Sequence, residues 1–286
     1  MKLSSNLKIA GRAALQWRVL LIWLGSLLLP TLLLAAPVWS TLSAALDQSL
    51  YAPQLARVLD LVAVADILGD LRRNNTALGA GAIAALVLTL LLSPFLTGVV
   101  TTAGRAHEPA RLRQLFAGGV AEYARMLRML VWAVVPLGVA LAIGGALADA
   151  AEKAADEAIL EAVADRWSLA ATVASVLLVA LANLTLDAGR AQLAIDRRRR
   201  SAVLAWWRGV KLLLRRPGAM LGCYVLLTLA GLLLAALLVL ARLNLPAGNA
   251  GWLLLAFLLT QLIVLVLAWM RSARLFALMT LAATNR

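Results

Sequence analysis

The chain contains one cysteine, Cys223, and one histidine, His107, in 286 residues. A single cysteine excludes an intrachain disulfide and a zinc site built from several cysteines, and a single histidine leaves few ligands for metal chemistry. Charged residues are scarce, at 14%, whereas hydrophobic residues make up 63%. Soluble domains have about 25% charged and about 45–50% apolar residues. The composition therefore excludes an ordinary soluble domain.

Signature motifs of common enzymes are also lacking. The sequence has no G-x-x-x-x-G-K-[ST] phosphate loop, no H-E-x-x-H zinc motif and no G-x-S-x-G nucleophile elbow. Clustered carboxylates that bind a metal ion are typical of enzymes that hydrolyse phosphodiesters. One stretch of the chain carries four aspartates: Asp47, Asp60, Asp66 and Asp70. Their spacing fits surface helices better. The sequence predicts no catalytic, cofactor-binding or metal-ligating residue.

Six apolar stretches are long enough to cross a membrane. A spanning helix needs about 20 apolar residues, because its backbone amides must be satisfied within the helix. The stretches run near 19–39, 77–103, 129–148, 168–186, 219–242 and 251–270. A further stretch, 55–71, carries three aspartates that would cost roughly 2.5–3.5 kcal/mol each at mid-bilayer, so we predict an amphipathic segment on the membrane surface. The predicted fold is all-α, a single membrane domain over 1–286 with six transmembrane helices.

The segments between the predicted spans are alternately rich and poor in basic residues. With the N-terminus inside, the inside segments hold 21 Lys or Arg and four acids: 1–18, 104–128, 187–217 and 271–286. The outside segments hold six bases and ten acids. Because cytoplasmic loops carry the excess of Lys and Arg, we predict that both termini are cytoplasmic and that 55–71 lies on the outer side.

The most basic stretch, DRRRRSAVLAWWRGVKLLLRRPG at 196–218, is predicted to form an amphipathic helix in the membrane interface, which Pro217-Gly218 ends before the fifth span begins. Its apolar residues recur with helical spacing: Val203, Trp206, Trp207, Val210, Leu213 and Leu214. Tryptophan favours the headgroup level, and basic residues there gain about 1 kcal/mol each against anionic lipid. Nucleic acid is the weaker interpretation, since base stacking needs exposed aromatic side chains. The candidate contacts to anionic lipid are Arg197, Arg198, Arg199, Arg200, Trp206, Trp207, Arg208, Lys211, Arg215 and Arg216.

A second basic amphipathic helix is predicted at 111–127, before the third span. Its apolar face holds Leu112, Leu115, Phe116, Tyr123, Met126 and Leu127. Arg111, Glu122 and Arg125 lie off that face. Each basic helix follows a span with a similar ending, TTAGRA at 101–106 and TLDAGRA at 185–191. This order predicts a parallel helix-pair repeat.

Polar residues inside the spans are the remaining candidates for function. They lie in the second, fourth and sixth spans: Ser93, Thr97, Asn183, Asp187 and Gln261. If they converge, they line a polar crevice that opens to the cytoplasm. The favoured alternative is that they only hold helices together through hydrogen bonds, often worth about 0.6 kcal/mol each, with Asp187 paired to Arg190.

Three stretches resemble a group of uncharacterised six-helix bacterial inner-membrane proteins. They are QWRVLLIWLGSLLLPTLLLAAPVWSTLSAALDQSL near the N-terminus, LLSPFLTGVV, and the basic stretch at 196–218. More remotely, the helix plan is similar to the membrane domain attached to some glycerophosphodiester phosphodiesterases. The resemblance implies a membrane module in the bacterial cytoplasmic (inner) membrane, and it implies no catalytic residues.

Three functions stay open. The first is a non-catalytic membrane protein that binds anionic lipid on the cytoplasmic side, or a membrane-protein partner. The second is a transporter or permease-like subunit, driven by an ATPase partner or an ion gradient. The third is a lipid-headgroup enzyme, which only the outside carboxylates favour. No cofactor and no nucleic-acid partner is predicted, and the oligomeric state is left open.

Overall fold

The computed structural model describes residues 3–47, 75–106, 108–158, 160–198, 201–246 and 249–284. These residues form eight α-helices and no β-strand. The helices are α1 Leu3–Ala13, α2 Trp17–Leu46, α3 Asn75–Arg105, α4 Leu112–Asp156, α5 Glu161–Ile195, α6 Ala202–Arg215, α7 Pro217–Leu243 and α8 Ala250–Ala283. Six of them, α2 to α5 with α7 and α8, are long and apolar enough to cross a membrane. The predicted all-α fold is confirmed, and the chain is a multi-pass membrane protein.

Two sequence-based expectations lie outside the described residues. The surface segment predicted at 55–71, with Asp60, Asp66 and Asp70, falls in the part of the chain that is not described. The same holds for Arg199 and Arg200 of the most basic stretch and for His107.

The predicted separate helix at 111–127 is wrong, because α4 continues from Leu112 through the third span to Asp156. The 45 residues of α4 extend over about 68 Å, more than twice the roughly 30 Å of a bilayer core. The stretch Leu127-Arg128-Met129 joins the two parts, and all three residue types are good helix formers. With no proline at this junction, the helix has no reason to stop.

The amphipathic helix predicted in the most basic stretch does form a separate element, α6. It ends at Arg215, and the next residue, Arg216, has a φ of −136° and a ψ of 59°, which are not helical. Pro217 then occupies the first turn of α7, a position where its missing N–H and its preset φ are tolerated. The residue before a proline is disfavoured in the helical region, which explains why the break falls at Arg216 as the sequence predicts.

The helices α1 and α6, the starts of α2, α4 and α7, and the ends of α3, α5 and α8 share one end of the bundle, here called the basic end. Tight packing is concentrated toward it. The buried residues of α5 run from Ala182 to Ala194, and those of α8 run from Ala268 to Ala282. Farther from the basic end, large apolar side chains such as Leu233 and Leu253 are exposed. This exposure suits a surface that meets lipid tails.

The short helix α1 is a part of the basic end that sequence reasoning did not single out. The amide nitrogen of Asn6 donates to the carbonyl oxygen of Ala277 at 3.3 Å. The indole nitrogen of Trp269 donates to the carbonyl oxygen of Gly11 at 2.9 Å. These two bonds attach α1 along the last turns of α8, so the N-terminal segment belongs to the packed bundle.

Candidate functional site

Four charged side chains meet inside the bundle and form what we call the interior cluster: Asp187, Arg190, Arg271 and Arg274. The first two lie on α5 and the last two on α8. Their surroundings include Trp23, six residues after the start of α2, and Tyr224, seven residues after the start of α7. At 1.5 Å per residue, the cluster lies about 10 Å inside the basic end.

Asp187 is the acidic member of the interior cluster. Its Oδ1 accepts from Arg190 Nη1 at 2.6 Å, and its Oδ2 lies 4.0 Å from Arg274 Nη2. Only 9% of the Asp187 side chain is exposed, against 13% for Arg190 and 14% for Arg274. Because guanidinium groups stay protonated in proteins, three positive charges surround one negative charge in a place with little water.

Arg271 is held by neutral groups. Its Nη2 donates to the hydroxyl of Ser93 at 3.2 Å, and its guanidinium carbon lies 5.5 Å from the ring centre of Trp23. Among the residues that the structure describes, Arg271 forms no ion pair within 4 Å. Its charge is therefore stabilised by a hydroxyl and an aromatic face, and no carboxylate neutralises it directly.

Arg274 is placed against α7. Its guanidinium carbon lies 4.7 Å from the ring centre of Tyr224, and its Nη1 donates to the hydroxyl of Thr228 at 3.3 Å. Its Nε–H is buried and has no hydrogen-bond partner among the described residues. The interior cluster thus joins α2, α3, α5, α7 and α8.

The structure brings together three of the five polar span residues proposed from sequence. Thr97 and Asp187 line one small cavity, and Ser93 bonds to Arg271 at the same place. Asn183 instead donates to the carbonyl oxygen of Val179 on its own helix. Gln261 lies ten residues before Arg271 on α8, about 15 Å away. The predicted polar face is therefore formed only in part. Ser93, Thr97 and Asp187 lie at the interior cluster, whereas Asn183 bonds to its own helix and Gln261 lies farther along α8.

Sequence reasoning did not assign Arg271 and Arg274 to a site, because it counted both as topology-determining charges after the sixth span. The signal that could have found them is their spacing. They are three residues apart and thus share one face of a helix, and the apolar sequence continues beyond them to Ala283. Arginines followed by another two turns of apolar helix are not at a helix terminus.

A second charged group lies around Glu122 of α4, against the end of α3 and the end of α5. Its Oε1 accepts from Arg105 Nη2 at 2.8 Å and lies 3.5 Å from Arg197 Nε. Its Oε2 accepts from Arg125 Nη1. Arg125 also donates to the carbonyl oxygens of Leu193 and Asp196 at the end of α5, at 2.7 Å each.

Glu122, predicted to lie off the apolar face, is nevertheless buried, since only 2% of it is exposed. The buried stripe of α4 includes this carboxylate: Leu115, Gly119, Glu122, Met126 and Met129. Phe116, from the predicted apolar face, is 52% exposed. In a membrane the lipid-facing surface is as apolar as any core, so the apolar pattern marks the lipid side as readily as the buried side.

Glycine contacts join each basic helix to the span before it. A Cβ at Gly98 on α3 would lie 2.9 Å from the carbonyl oxygen of Gly119 on α4. A Cβ at Gly209 on α6 would lie 2.7 Å from the backbone nitrogen of Gly189 on α5. The register of the two pairs differs, because Gly189 is the glycine of the AGRA motif at 188–191, whereas Gly98 lies six residues before Gly104, the glycine of the motif at 103–106. The parallel helix-pair repeat stays a prediction.

No protein-family model, curated protein or solved structure matches this chain. The resemblance to six-helix inner-membrane proteins, and remotely to the phosphodiesterase-attached membrane domain, therefore stays a prediction.

The surface of α6 has three faces. Its buried face consists mainly of small residues and leucines: Ala202, Ala205, Gly209, Leu212 and Leu213. An exposed apolar face follows the i, i+4, i+11 spacing with Val203, Trp207 and Leu214. Arg208, Lys211 and Arg215 are exposed along a third face, where Lys211 Nζ lies 5.7 Å from the ring centre of Trp207.

The single apolar face predicted for this helix is wrong, because the structure divides it between two environments. Leu213 packs into the bundle, and Trp206 is half-buried. The indole nitrogen of Trp206 donates to the hydroxyl of Thr185 at 3.0 Å, and its ring meets that of Trp132 edge-on at 5.6 Å. Of the two adjacent tryptophans, Trp207 is the one whose side chain is free to meet lipid.

Proposed function

We propose that this chain is a non-catalytic membrane protein of the bacterial cytoplasmic (inner) membrane that binds anionic lipid at its basic end. The observation that carries the proposal is the three-faced surface of α6. Small residues attach the helix to the bundle, and Trp207 with its apolar neighbours is exposed beside three basic side chains. A helix with an apolar face next to a basic face lies in the membrane interface.

The charge distribution supports the same orientation. In the sequence, the segments predicted to lie inside hold 21 of the 27 Lys and Arg residues, and the segments predicted to lie outside hold ten of the 14 acids. The inner leaflet is anionic and attracts juxtamembrane basic residues. The basic end is therefore proposed to face the cytoplasm, with both termini on that side.

Neutralising the basic face of α6 tests lipid binding. In native nanodiscs with equal parts of anionic and zwitterionic lipid, mass spectrometry should find anionic lipid enriched around the wild-type protein. The triple variant R208Q/K211Q/R215Q should lose this enrichment by tenfold or more, since each basic residue contributes roughly 1 kcal/mol near the surface. The matched control is K153Q/R166Q/R242Q, which removes three exposed charges at the other end. Equal enrichment in all three proteins would exclude this function.

Cysteine labelling tests the orientation. The native Cys223 is 1% exposed, so a membrane-impermeant maleimide should react weakly with the wild-type protein. In intact spheroplasts, Asp156→Cys should be labelled fully, and Arg198→Cys should be labelled only after lysis. The opposite pattern would place the basic end outside and would contradict the proposed lipid contact.

A transporter or permease-like subunit is the second candidate. The observation that favours it is the interior cluster, where Ser93, Thr97 and Asp187 meet two arginines of α8 about 10 Å inside the basic end. Ionisable residues within membrane spans are expensive and often mark a substrate or ion route. Because the sequence has no phosphate loop, an ATPase partner or an ion gradient would have to supply the energy.

A further inference from the structure

The interior cluster has more positive charge than its own carboxylate can neutralise. Asp187 is paired with Arg190 and faces Arg274, while Arg271 contacts the hydroxyl of Ser93 and the ring of Trp23 and has no carboxylate partner among the described residues. Two of three positive charges are thus uncompensated in a low-dielectric region, where an unpaired charge is costly. The charge balance calls for a negatively charged group that the described residues do not provide there.

The second charged group, around Glu122, does not raise the same demand. Of its three arginines, Arg197 is 71% exposed, so solvent screens its charge. Arg125 is also bound to two carbonyl oxygens at the end of α5, where a positive charge is favourable for the helix dipole. Among the described residues, buried positive charge in excess of the carboxylates that face it is therefore concentrated in the interior cluster.

Hydrogen-bond donors in the interior cluster also lack acceptors. The indole Nε1–H of Trp23 and the Nε–H of Arg274 are buried without a partner among the described residues. Trp23 is only 6% exposed. Buried donors are nearly always satisfied in folded proteins, by the protein or by a bound species. A negatively charged acceptor at this place would satisfy these donors and would also offset the excess positive charge.

A cavity lies at this place, and its size limits the occupant. Its walls come from α2, α3, α5 and α8: Trp23, Thr97, Val100, Asp187, Arg190, Arg271 and Leu275. The cavity volume is about 10 Å³, which is room for about one water-sized particle. A phospholipid headgroup or a nucleotide does not fit this space, whereas a monatomic anion does.

From these observations, we propose that the interior cluster is a binding site for a single halide-sized anion. The anion lies in the cavity between Trp23, Arg190 and Arg271. It lowers the excess charge of the cluster and accepts a hydrogen bond from the indole Nε1–H of Trp23, the unpartnered donor that lines the cavity. Asp187, hydrogen-bonded to Arg190, keeps that guanidinium in position. This site is separate from the lipid-facing surface of α6 and does not depend on it.

Bromide quenching of tryptophan fluorescence tests the site in the purified full-length protein in nanodiscs. Trp23 lines the cavity, so bromide bound there should quench its fluorescence in a saturable way, and chloride at constant ionic strength should relieve the quenching. Trp23→Phe should remove the saturable component while leaving collisional quenching of the other tryptophans. Linear quenching that chloride does not relieve would show that the cavity holds water only and would overturn the proposal.

The role of the arginines is tested with R271Q and a matched control, R242Q. Arg242 is an exposed arginine at the other end of the bundle. R271Q should weaken bromide binding by about tenfold or more, since it removes a charge-assisted bond to the ion, and R242Q should bind like wild type. Wild-type bromide affinity in R271Q would overturn the proposal.

Thermal unfolding gives a second readout that does not depend on R271Q folding well. Replacing gluconate by chloride at constant ionic strength should raise the melting temperature of the wild-type protein in a saturable way, because a ligand that binds only the folded state stabilises it. No difference between the two anions would overturn the proposal. So would native mass spectra that show a phospholipid bound to wild type and lost in R271Q, since a lipid phosphate would then occupy the site.

Discussion

Gly209→Ala should lower the free energy of unfolding by about 1–3 kcal/mol, the usual cost of an extra methyl group in a packed interface. The added Cβ would lie 2.7 Å from the backbone nitrogen of Gly189 and 2.8 Å from the carbonyl carbon of Ala188. Both atoms belong to the backbone of α5, which cannot rotate away as a side chain can. Thermal unfolding in detergent, followed by size-exclusion chromatography, measures the loss.

Gly138→Ala is the matched control for this substitution. A Cβ at Gly138 on α4 would meet no described heavy atom within 4 Å, and alanine is favoured over glycine in a helix by about 0.8–1.0 kcal/mol. The control should therefore melt at or above the wild-type temperature. If Gly209→Ala melted with the control, the close approach of α5 and α6 would not exist in the protein.

Length and hydropathy were enough to predict the six spans and the break before α7. These features depend on local chemistry: a spanning helix must be apolar and continuous, and Pro217 stops α6 by its own geometry. The same local chemistry explains the error at α4. A basic amphipathic stretch indicates an interfacial helix, but nothing between Arg111 and Met129 requires the chain to turn.

The faces of the helices could not be predicted in the same way. In water, an apolar stripe marks the buried side of a helix, since burial is what makes the stripe favourable. In a membrane, lipid tails are as apolar as leucine, and helices meet through small and polar residues. Glu122 and Gly209 consequently lie on buried faces, while Phe116, Trp207 and Leu214 are exposed.

The interior cluster was predicted only in part, for a related reason. Ser93, Thr97 and Asp187 were visible as polar residues within apolar runs. Their partners Arg271 and Arg274 were assigned to the loop charge of the basic end, because the positive-inside rule counts arginines without regard to depth. Tertiary packing decides the outcome, since α8 continues past both arginines and keeps them within the bundle.

Glu122→Gln should have the largest effect on stability of the substitutions considered. Breaking a buried ion pair by removing one partner costs about 3–5 kcal/mol, because the other charge stays buried. Arg105 and Arg125 are 22% and 12% exposed, so water screens them only partly. The amide has the volume of the carboxylate but not its charge, and its NH₂ group would face a guanidinium. A marked fall in the melting temperature is the expected result.

Two comparisons separate charge from packing in this prediction. Glu152→Gln neutralises an exposed carboxylate at the other end of α4, and it should leave the melting temperature unchanged, since exposed pairs contribute about 0–1 kcal/mol. In E122Q, the buried charges of Arg105 and Arg125 have lost their carboxylate partner. The double variant E122Q/R105Q removes one of these two charges, and it should be more stable than E122Q alone even though it has lost one more native side chain. If the two losses simply added, Glu122 would act through its shape and hydrogen bonds. Recovery in the double variant would mean that this carboxylate holds α3, α4 and the end of α5 together by compensating charge.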